Sequence, residues 1–374
     1  MMKIKIGITG QQGFIGKHLY NTLGLSPEEF ERIDFNRNFF EDQQELVNFV
    51  AQCDVIVHLA ALNKHNDPQM IYDNNVALVH QLITALESVQ SKAHVIFSSS
   101  SQEERDNPYG KSKKVGRELF NNWAIKSGGK ATGMVIPNVF GPFGHPYYNS
   151  FIATFCHQLT HHEQPKIDSD GLIKLIYVAD LVQLIIKEIK QAKGNSLLEI
   201  AHTEELKVST ILLLLEKYNE QYVKLGIIPE INNRFELNLF NTFRCYMDIK
   251  NHYPVKYTQH TDARGVFVEI IRLGTGGQVS FSTTVPGITR GNHFHTRKIE
   301  RFSVIKGKAL IQLRRIGTTE VMDFYLDGNE PAYVDMPIWY THNIKNIGDE
   351  DLYTNFWINE FYDPIDADTY MEVV

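Results

Sequence analysis

The hydrophobic pattern of this 374-residue chain changes along its length, and that change limits the possible folds more than any other feature. Up to about residue 200, short apolar runs alternate with longer amphipathic stretches, as in parallel strands joined by crossover helices. The runs read as strands are IKIGIT, FERIDF, DVIVHLAA, HVIFSSS and TGMVIP. The first part of the chain is therefore predicted to be α/β.

After about residue 255 the chain carries short β-type runs separated by glycine, proline and aspartate, a pattern typical of an antiparallel sandwich or barrel. The segment between the two patterns fits neither period, so the boundary falls at about 235–258. We predict two domains, residues 1–245 and residues 253–374. The length agrees, because 374 residues exceed what one hydrophobic core usually organises.

A glycine pattern follows the first predicted strand. The stretch TGQQGFIG places Gly10, Gly13 and Gly16 at three-residue spacing where the strand gives way to a helix. Glycine there permits a tight turn, lets backbone N–H groups approach a pyrophosphate, and lets the helix pack closely on the strand. An ordinary strand-to-helix turn also uses glycine, so the pattern alone leaves both interpretations open.

The residues after the second predicted strand bear on which dinucleotide is preferred. A carboxylate there would bind the ribose hydroxyls of NAD, whereas an arginine would accept the 2′-phosphate of NADP. The stretch RIDFNRN offers Asn36 and Arg37, which favours NADP. Asp34 leaves NAD open, and Arg37 can also be read as a solvated surface residue.

A stronger signal is YGKSK, which follows the serine-rich end of the fourth predicted strand. Tyr109 and Lys113 are four residues apart, so on a helix they lie on one face. The ammonium of Lys113 is expected to lower the phenol pKa of Tyr109 from its usual value of about 10. The pair therefore predicts a proton donor.

These motifs resemble the extended short-chain dehydrogenase/reductase family over about the first 245 residues. The resemblance also includes HLAA at 58–61, PNVFGP at 137–142 and YVAD at 177–180. It implies a Rossmann-type, doubly wound sheet that binds a nicotinamide cofactor. One departure is Val135, where related sequences often have arginine two residues before the PN pair.

The same resemblance implies site residues. Ser100, the third of four consecutive serines, would polarise a carbonyl, Tyr109 would exchange the proton, and Lys113 would also hold the nicotinamide ribose. The implied cofactor-binding residues are Thr9, Gly10, Gly13, Phe14, Ile15, Gly16, Arg37, Leu59, Ala60, Tyr109 and Lys113.

The second domain carries a candidate metal site within GITRGNHFHTRKIERFSVIKG. His293 and His295 are one residue apart, so on a strand they face the same side, as two ligands of one metal must. With Glu300 and the flanking glycines they resemble the first motif of the cupins, which implies a jelly-roll barrel. His342 matches the second motif, which departs at Trp339, where the pattern has glycine. The four ligands predict a divalent ion, with zinc the favoured choice, while a metal-free cupin is the alternative.

A second resemblance gives His293 another role. The stretches DARGVFVEIIR and GITRGNH resemble the nucleotide-sugar 3,5-epimerases, in which the histidine of the RG-x-H stretch is a catalytic base. A histidine that binds metal through its free nitrogen cannot also act as a base. His293 therefore has two competing predicted roles.

Taken together, the two halves resemble bifunctional enzymes of capsular polysaccharide synthesis in which a reductase is fused to a cupin. The resemblance implies a UDP-linked 4-keto-6-deoxy-N-acetylhexosamine whose C3 is inverted by the cupin and whose C4 ketone is reduced with NADPH. The implied product leads to UDP-N-acetyl-L-fucosamine for capsule or O-antigen. The alternative is a reductase whose cupin only binds or dimerises. A dehydratase is disfavoured, because no Asp-Glu pair adjoins the serine run.

Composition argues against several partners. The net charge is −7 with both signs interspersed, which disfavours a nucleic-acid partner. The longest leucine run, LLLL, is too short to span a bilayer. The three cysteines form no CxxC pair, which fits a reducing, cytoplasmic location. Because cupins often pair through their sheets, a homodimer is expected.

We predict that the chain uses NADPH in preference to NADH, because the guanidinium of Arg37 pairs with a phosphate that only NADPH carries. Arg37→Ala should lower kcat/KM for NADPH by about tenfold and leave kcat/KM for NADH nearly unchanged. Steady-state rates with the two cofactors measure both effects. A wild-type chain that clearly prefers NADH contradicts the prediction.

Overall fold

The computed structural model describes residues 2–148, 150–194 and 197–374. The chain divides into two compact units. The first unit comprises Met1–Phe151 and Ser169–Val208. The second comprises Ile152–Asp168 and Ser209–Val374.

The secondary structure follows the two predicted patterns. The helices are α1 (Phe14–Leu23), α2 (Gln43–Val50), α3 (Pro68–Ser88), α4 (Pro108–Ser127), α5 (Phe151–Thr160), α6 (Val178–Gln191), α7 (Val208–Tyr218), α8 (Arg234–Arg244) and α9 (Ile249–His252), with a 3-10 turn at Arg37–Phe40 and a π-helical segment at Asn219–Lys224. The strands are β1 (Ile4–Thr9), β2 (Phe30–Ile33), β3 (Val55–His58), β4 (His94–Ser100), β5 (Lys130–Ile136), β6 (Asn138–Phe140), β7 (Leu172–Tyr177), β8 (Leu198–Glu199), β9 (Glu204–Lys207), β10 (Val255–Lys256), β11 (Gln259–Asp262), β12 (Gly265–Val268), β13 (Gln278–Thr284), β14 (Thr289–Phe294), β15 (Glu300–Lys306), β16 (Lys308–Arg315), β17 (Val321–Asp327), β18 (Ala332–Met336), β19 (Tyr340–Asn346), β20 (Leu352–Ile358) and β21 (Tyr370–Met371).

A six-stranded parallel sheet forms the centre of the first unit, in the order β2-β1-β3-β4-β5-β8. Every residue of β3 is buried, as expected for a parallel strand covered on both faces. Strands β6, β7 and β9 form a smaller sheet. The Rossmann-like α/β sheet predicted from the alternating pattern is confirmed.

The strand order of the large sheet places the candidate site. Strand β1 has β2 on one side and β3 on the other, so the chain reverses its direction of winding at β1. In open α/β sheets, ligands bind beyond the carboxyl ends of the strands at such a switch point. The turns after β1 and β3 both lie at this edge.

Two five-stranded antiparallel sheets form most of the second unit. Their orders are β10-β18-β15-β20-β13 and β17-β16-β19-β14-β21, and β11 and β12 form a separate hairpin. The all-β character predicted for the C-terminal part is confirmed. The helical segments α7, α8 and α9 fall almost entirely in this unit.

The structural division differs from the predicted domain limits of 1–245 and 253–374. Residues 152–168 and 209–245 belong to the second unit. Two side chains of α8 bond directly to the β part of that unit. Asn241 donates to the Arg297 carbonyl (2.8 Å), and Arg244 donates to the Met336 carbonyl (2.9 Å). The limits 1–245 and 253–374 stay a prediction about where each activity resides.

The helices and the cysteines agree with the expectations from the sequence. Among the helices of the described chain, none combines the length and apolar character that crossing a bilayer requires. Cys53, Cys156 and Cys245 are free thiols. The cytoplasmic location stays a prediction.

A buried ion pair links the first sheet of the second unit to its helical segment. Arg301 contacts both carboxylate oxygens of Asp335 at 2.7 and 2.9 Å, and both side chains are almost fully buried. The Tyr222 hydroxyl donates to Asp335 (2.7 Å), and Arg301 donates to the Gly226 carbonyl (2.9 Å). Removing one partner would leave the other charge buried and uncompensated.

We predict that Asp335→Ala lowers the free energy of unfolding by about 3–5 kcal/mol, because it leaves Arg301 buried without its partner. Denaturant unfolding followed by the fluorescence of Trp339 and Trp357 measures the change. Glu330→Gln, which removes an exposed ion pair, is the matched control and should have no measurable effect. Equal stability of the two variants would show that the buried pair does not stabilise the fold.

Candidate active site and metal centre

The glycine turn after β1 requires glycine for steric reasons. Gly10 has a φ of +76°, and a Cβ there would lie 2.8 Å from the Ala60 backbone nitrogen. At Gly16 a Cβ would lie 2.2 Å from the Gly10 carbonyl oxygen. Gly13 precedes the first turn of α1 and brings no side-chain cap. The turn therefore presents backbone N–H groups at a helix N-terminus, which fits the phosphates of a dinucleotide.

The other predicted cofactor residues of this edge lie beside the turn. The Leu59 N–H donates to the Thr9 carbonyl (3.1 Å), and the Thr9 hydroxyl hydrogen-bonds to His58 Nδ1 (2.8 Å). Phe14 and Ile15 open helix α1. The structure thus brings the predicted segments 9–16 and 59–60 together at the carboxyl ends of β1 and β3.

The residues after β2 are arranged around a short 3-10 turn. The Asn36 side chain accepts from the Asn38 backbone N–H (3.0 Å) and starts this turn. Asp34 accepts from the Tyr20 hydroxyl (3.0 Å), and Arg37 is exposed. The preference for NADP over NAD stays a prediction.

The three predicted catalytic residues of the first unit meet between β4 and α4. Ser100 ends β4, and its side chain interacts with that of Tyr109 in the first turn of α4. The Lys113 ammonium lies 5.7 Å from the centre of the Tyr109 ring. Asn107 caps the helix by accepting from the Gly110 N–H (2.7 Å), which fixes where the helix begins.

The pKa of Tyr109 shifts in the direction opposite to the prediction. Burial raises the pKa of Tyr109 to about 12, although the hydrogen bond with Ser100 opposes the rise. Burial lowers the pKa of Lys113 to about 8, and its ammonium donates to the Ser98 carbonyl (2.9 Å). The prediction that Lys113 lowers the tyrosine pKa was wrong because desolvation dominates. The phenol is therefore protonated at neutral pH, as a proton donor must be, and it is a weaker acid than a free tyrosine.

Asn75 has a positioning role that was not assigned from the sequence. Its amide nitrogen donates to the Leu62 carbonyl (3.0 Å) and to the Ser112 hydroxyl (3.1 Å). The Ser112 hydroxyl in turn donates to the Tyr109 carbonyl (2.7 Å). Asn75 therefore connects the segment after β3 to the helix that carries Tyr109.

The four predicted metal ligands converge in the second unit. One ligand atom from each of His293, His295, Glu300 and His342 lies within 4.8 Å of the others. Glu300 Oε2 is 3.0 Å from His295 Nε2 and 3.2 Å from His342 Nε2. His293 and His342 lie on β14 and β19 of one sheet, whereas Glu300 begins β15 of the other.

The cluster fits a divalent cation. His295 Nε2, Glu300 Oε2 and His342 Nε2 are buried and make no hydrogen bond of acceptable geometry. Buried polar atoms without partners are costly, and a cation between them would satisfy all three. Three imidazoles and one carboxylate form a donor set suited to zinc or another transition metal.

The pKa shifts of His293 and Glu300 agree with this fit. Burial, with help from His342 and His295, lowers the pKa of His293 to about 4. Although burial opposes ionisation of Glu300, its contacts with His295 and His342 hold the carboxyl pKa below its usual value. A neutral His293 and an ionised Glu300 are the forms that bind a metal.

Asp368, near the end of the chain, holds His295 in place. Its backbone carbonyl pairs with His295 Nδ1, which leaves Nε2 directed at the cluster. Its carboxylate accepts from the backbone N–H groups of Thr296 (3.1 Å), Arg297 (3.0 Å) and Lys298 (3.2 Å). Such partners fix the orientation of a metal-binding histidine. Asp368 was missed because it lies 73 residues from His295 in sequence.

Trp339 keeps the backbone conformation that glycine would adopt. Its φ is +62°, a left-handed value that side chains rarely take. Its backbone N–H donates to the His295 carbonyl (2.8 Å), and its indole ring stacks on the Phe294 ring with centroids 5.5 Å apart. The departure from the cupin pattern therefore changes the side chain and preserves the turn.

The chain belongs to the NAD dependent epimerase/dehydratase family, which residues 6–201 match. Residues 260–370 match a second family, the polysaccharide biosynthesis C-terminal domain. Membership in the first family indicates a nicotinamide cofactor, in agreement with the glycine turn.

The relatives extend over both units. The chain is 30% identical over 369 residues to UDP-2-acetamido-2,6-beta-L-arabino-hexul-4-ose reductase of Pseudomonas aeruginosa, with 98% of each chain covered. The crystal structure of the capsular polysaccharide assembling protein CapF from Staphylococcus aureus shares 32% identity and a TM-score of 0.63, covering 99% of this chain and 100% of that one. The predicted resemblance to capsular polysaccharide enzymes of this kind is confirmed.

A third likeness concerns the fold alone. The structure of RMD from Pseudomonas aeruginosa complexed with NADPH shares 19% identity and a TM-score of 0.53. It covers 58% of this chain and 83% of that one, consistent with a Rossmann-like first unit.

We predict that Asp368→Ala lowers the zinc affinity of the chain by about 10- to 100-fold, because residues 296–298, directly after His295, lose the carboxylate that accepts from their backbone N–H groups. Competition with a chromophoric chelator measures the affinity. Asp366→Ala is the matched control, since Asp366 lies in the same segment but forms an exposed pair with Arg297. Equal zinc affinity in the two variants would exclude the role given to Asp368.

Proposed function

We propose that this chain is a bifunctional nucleotide-sugar enzyme. Its substrate is a UDP-linked 4-keto-6-deoxy-N-acetylhexosamine, whose C3 the C-terminal β domain epimerises and whose C4 ketone the N-terminal domain reduces with NADPH. The product leads towards UDP-N-acetyl-L-fucosamine for capsule or O-antigen polysaccharide. Residues 1–245 would carry the reductase, and residues 253–374, as a cupin jelly roll, the epimerase.

The meeting of Ser100, Tyr109 and Lys113 carries the reductase half of the proposal. Ser100 would donate a hydrogen bond to the C4 carbonyl oxygen and hold it beside Tyr109. The phenol of Tyr109, kept protonated by burial, would then donate its proton to that oxygen. When bound, the nicotinamide would supply the hydride. The relative from Pseudomonas aeruginosa, a reductase by name, supports this half.

The His-His-Glu-His cluster carries the epimerase half. The hydrogen on C3 is acidic only while C4 is a ketone, because its removal gives an enolate that positive charge can stabilise. A bound divalent ion would supply such charge. His293, neutral and only half-buried, could take the proton if it is not itself a ligand. Both roles of His293 stay open within the proposal.

The two steps have an order that follows from the carbonyl they share. Reduction of C4 removes the activation of C3, so epimerisation comes first. Reduction then fixes the inverted configuration, since the alcohol no longer permits exchange at C3. A reversible step is thus followed by one that is effectively irreversible.

An alternative function assigns catalysis to the first unit alone. The name of the Pseudomonas aeruginosa relative mentions reduction only, which favours a reductase whose cupin is a binding or dimerisation module. On edge strand β13, Val279 and Phe281 are 54% and 72% exposed, which supports a homodimer formed through the sheets. The full-length chain, assayed on a 4-keto nucleotide sugar for C3 exchange without NADPH and for reduction with NADPH, distinguishes the two functions.

We predict that Tyr109→Phe abolishes oxidation of NADPH by the 4-keto nucleotide sugar and leaves NADPH affinity nearly unchanged. Phenylalanine keeps the ring but has no proton to donate to the carbonyl oxygen. Loss of about 10²- to 10⁴-fold in kcat is the size expected for a general acid. Cofactor absorbance follows the rate, and fluorescence titration gives the affinity. Undiminished turnover would contradict the role of Tyr109.

A further inference from the structure

The turn between β4 and α4 determines where Ser100 lies. The Glu103 N–H donates to the Ser100 carbonyl (3.0 Å), and the Gln102 N–H donates to the Ser100 hydroxyl (3.2 Å). The turn also lies tightly against the helix, because a Cβ on Gly110 would come within 2.0 Å of the Gln102 carbonyl oxygen. Any shift of this turn would move Ser100 relative to Tyr109.

A buried carboxylate within the turn is held on two sides. Glu103 is only 8% exposed and accepts hydrogen bonds from the Ser99 hydroxyl and from Arg117. Arg117 contacts it through two nitrogens, Nε at 2.9 Å and Nη2 at 2.7 Å. Paired contacts of this kind are strong and geometrically specific. Neither residue belongs to the catalytic set described above.

The position of Arg117 on α4 connects this pair to the site. Tyr109, Lys113 and Arg117 follow one another at four-residue spacing, so they share one face of the helix. The face of α4 that presents Tyr109 therefore also binds, through Arg117, the turn that follows Ser100. Tyr109 lies near one end of this face, and Arg117, at the other end, binds the turn that follows Ser100. The positions of Ser100 and Tyr109 relative to each other are therefore fixed.

The neighbouring ion pair between Glu104 and Lys114 is an ordinary surface contact. Glu104 and Lys114 lie 3.6 Å apart, and the Glu104 side chain is 83% exposed. Glu104 directly follows Glu103 of the buried pair, and Lys114 directly follows Lys113. A solvated pair with a single long contact constrains the backbone little.

We propose that Glu103 and Arg117 are positioning residues that hold Ser100 in hydrogen-bonding register with Tyr109 and thereby set the rate of ketone reduction. The proposal rests on the reductase function above. The pair lies outside the predicted catalytic and cofactor-binding residues, and it acts through the turn at residues 99–103. Displacing Ser100 would remove the donor from the carbonyl oxygen without disturbing the glycine turn after β1.

A double-mutant cycle in the full-length chain tests the proposal. Glu103→Gln should lower kcat for reduction of the 4-keto nucleotide sugar by about tenfold to a hundredfold, because a small displacement of a catalytic group is enough. The NADPH dissociation constant should not change. In a Ser100→Ala background, Glu103→Gln should have no further effect, since its action passes through the serine hydroxyl. Independent effects that multiply would overturn the proposal.

Two further variants guard against trivial outcomes. Glu104→Gln is the matched control and should keep the wild-type kcat. If Glu103→Gln does not fold, Arg117→Lys keeps the charge but loses the two-nitrogen contact and should give a milder loss of the same kind. A wild-type kcat in Arg117→Lys, with unchanged amide hydrogen exchange across residues 99–105, would overturn the proposal.

Amide hydrogen exchange supplies a readout that does not depend on activity. Exchange across residues 99–105 should be faster in Glu103→Gln than in the wild type and unchanged in Glu104→Gln. Equal protection in both variants would overturn the proposal. If the wild type itself fails to reduce the keto sugar while exchange behaves as expected, the proposed reductase function fails and the pair still holds the turn.

Discussion

The register of strand pairing is the constraint on which both candidate sites depend. His293 lies opposite His342 in the β14–β19 ladder, and a bulge between Gly291 and His293 adjusts the strand just before the ligands. Asn292, at this bulge, adopts a φ of +59°. Because side chains alternate between faces, a shift of one residue would turn the ligands away from each other. In the first unit, the Thr9–His58 pairing aligns the two turns of the cofactor edge.

Burial of ionisable groups gives these sites their chemistry. Desolvation keeps Tyr109 protonated and lowers the pKa of Lys113 and His293. Buried charges persist where a fixed partner compensates them, as Arg301 compensates Asp335. The metal cluster differs, because three of its buried atoms lie close together and make no hydrogen bond of acceptable geometry. That difference separates a structural ion pair from a site built for a ligand.

The features that local spacing controls could be predicted from the sequence. The parallel sheet, the β-rich second part and the four clustered ligands all follow from periodicity or from short motifs. The role of Asp368 could not be predicted, because its partner His295 is 73 residues away in sequence. The role of Glu103 could not be predicted either, because its contact with Arg117 depends on how the turn after β4 lies against α4. The shift of the Tyr109 pKa was predicted in the wrong direction, because spacing reveals a neighbouring charge but not the depth of burial. The contacts of the helical segment 209–245 with the β part are tertiary and could not be predicted from spacing, and the limits 1–245 and 253–374 stay a prediction.

The central claim, that the second unit activates C3 while C4 is still a ketone, is tested most directly by hydrogen exchange at C3. The 4-keto nucleotide sugar is incubated with the chain in deuterated water without NADPH, and NMR follows C3. The account predicts deuterium uptake and inversion with the wild type, and neither with His293→Asn. Metal content of that variant then shows whether His293 acts as ligand or as base. Absence of C3 exchange with the wild-type chain would contradict the account and leave the second unit a binding or dimerisation module.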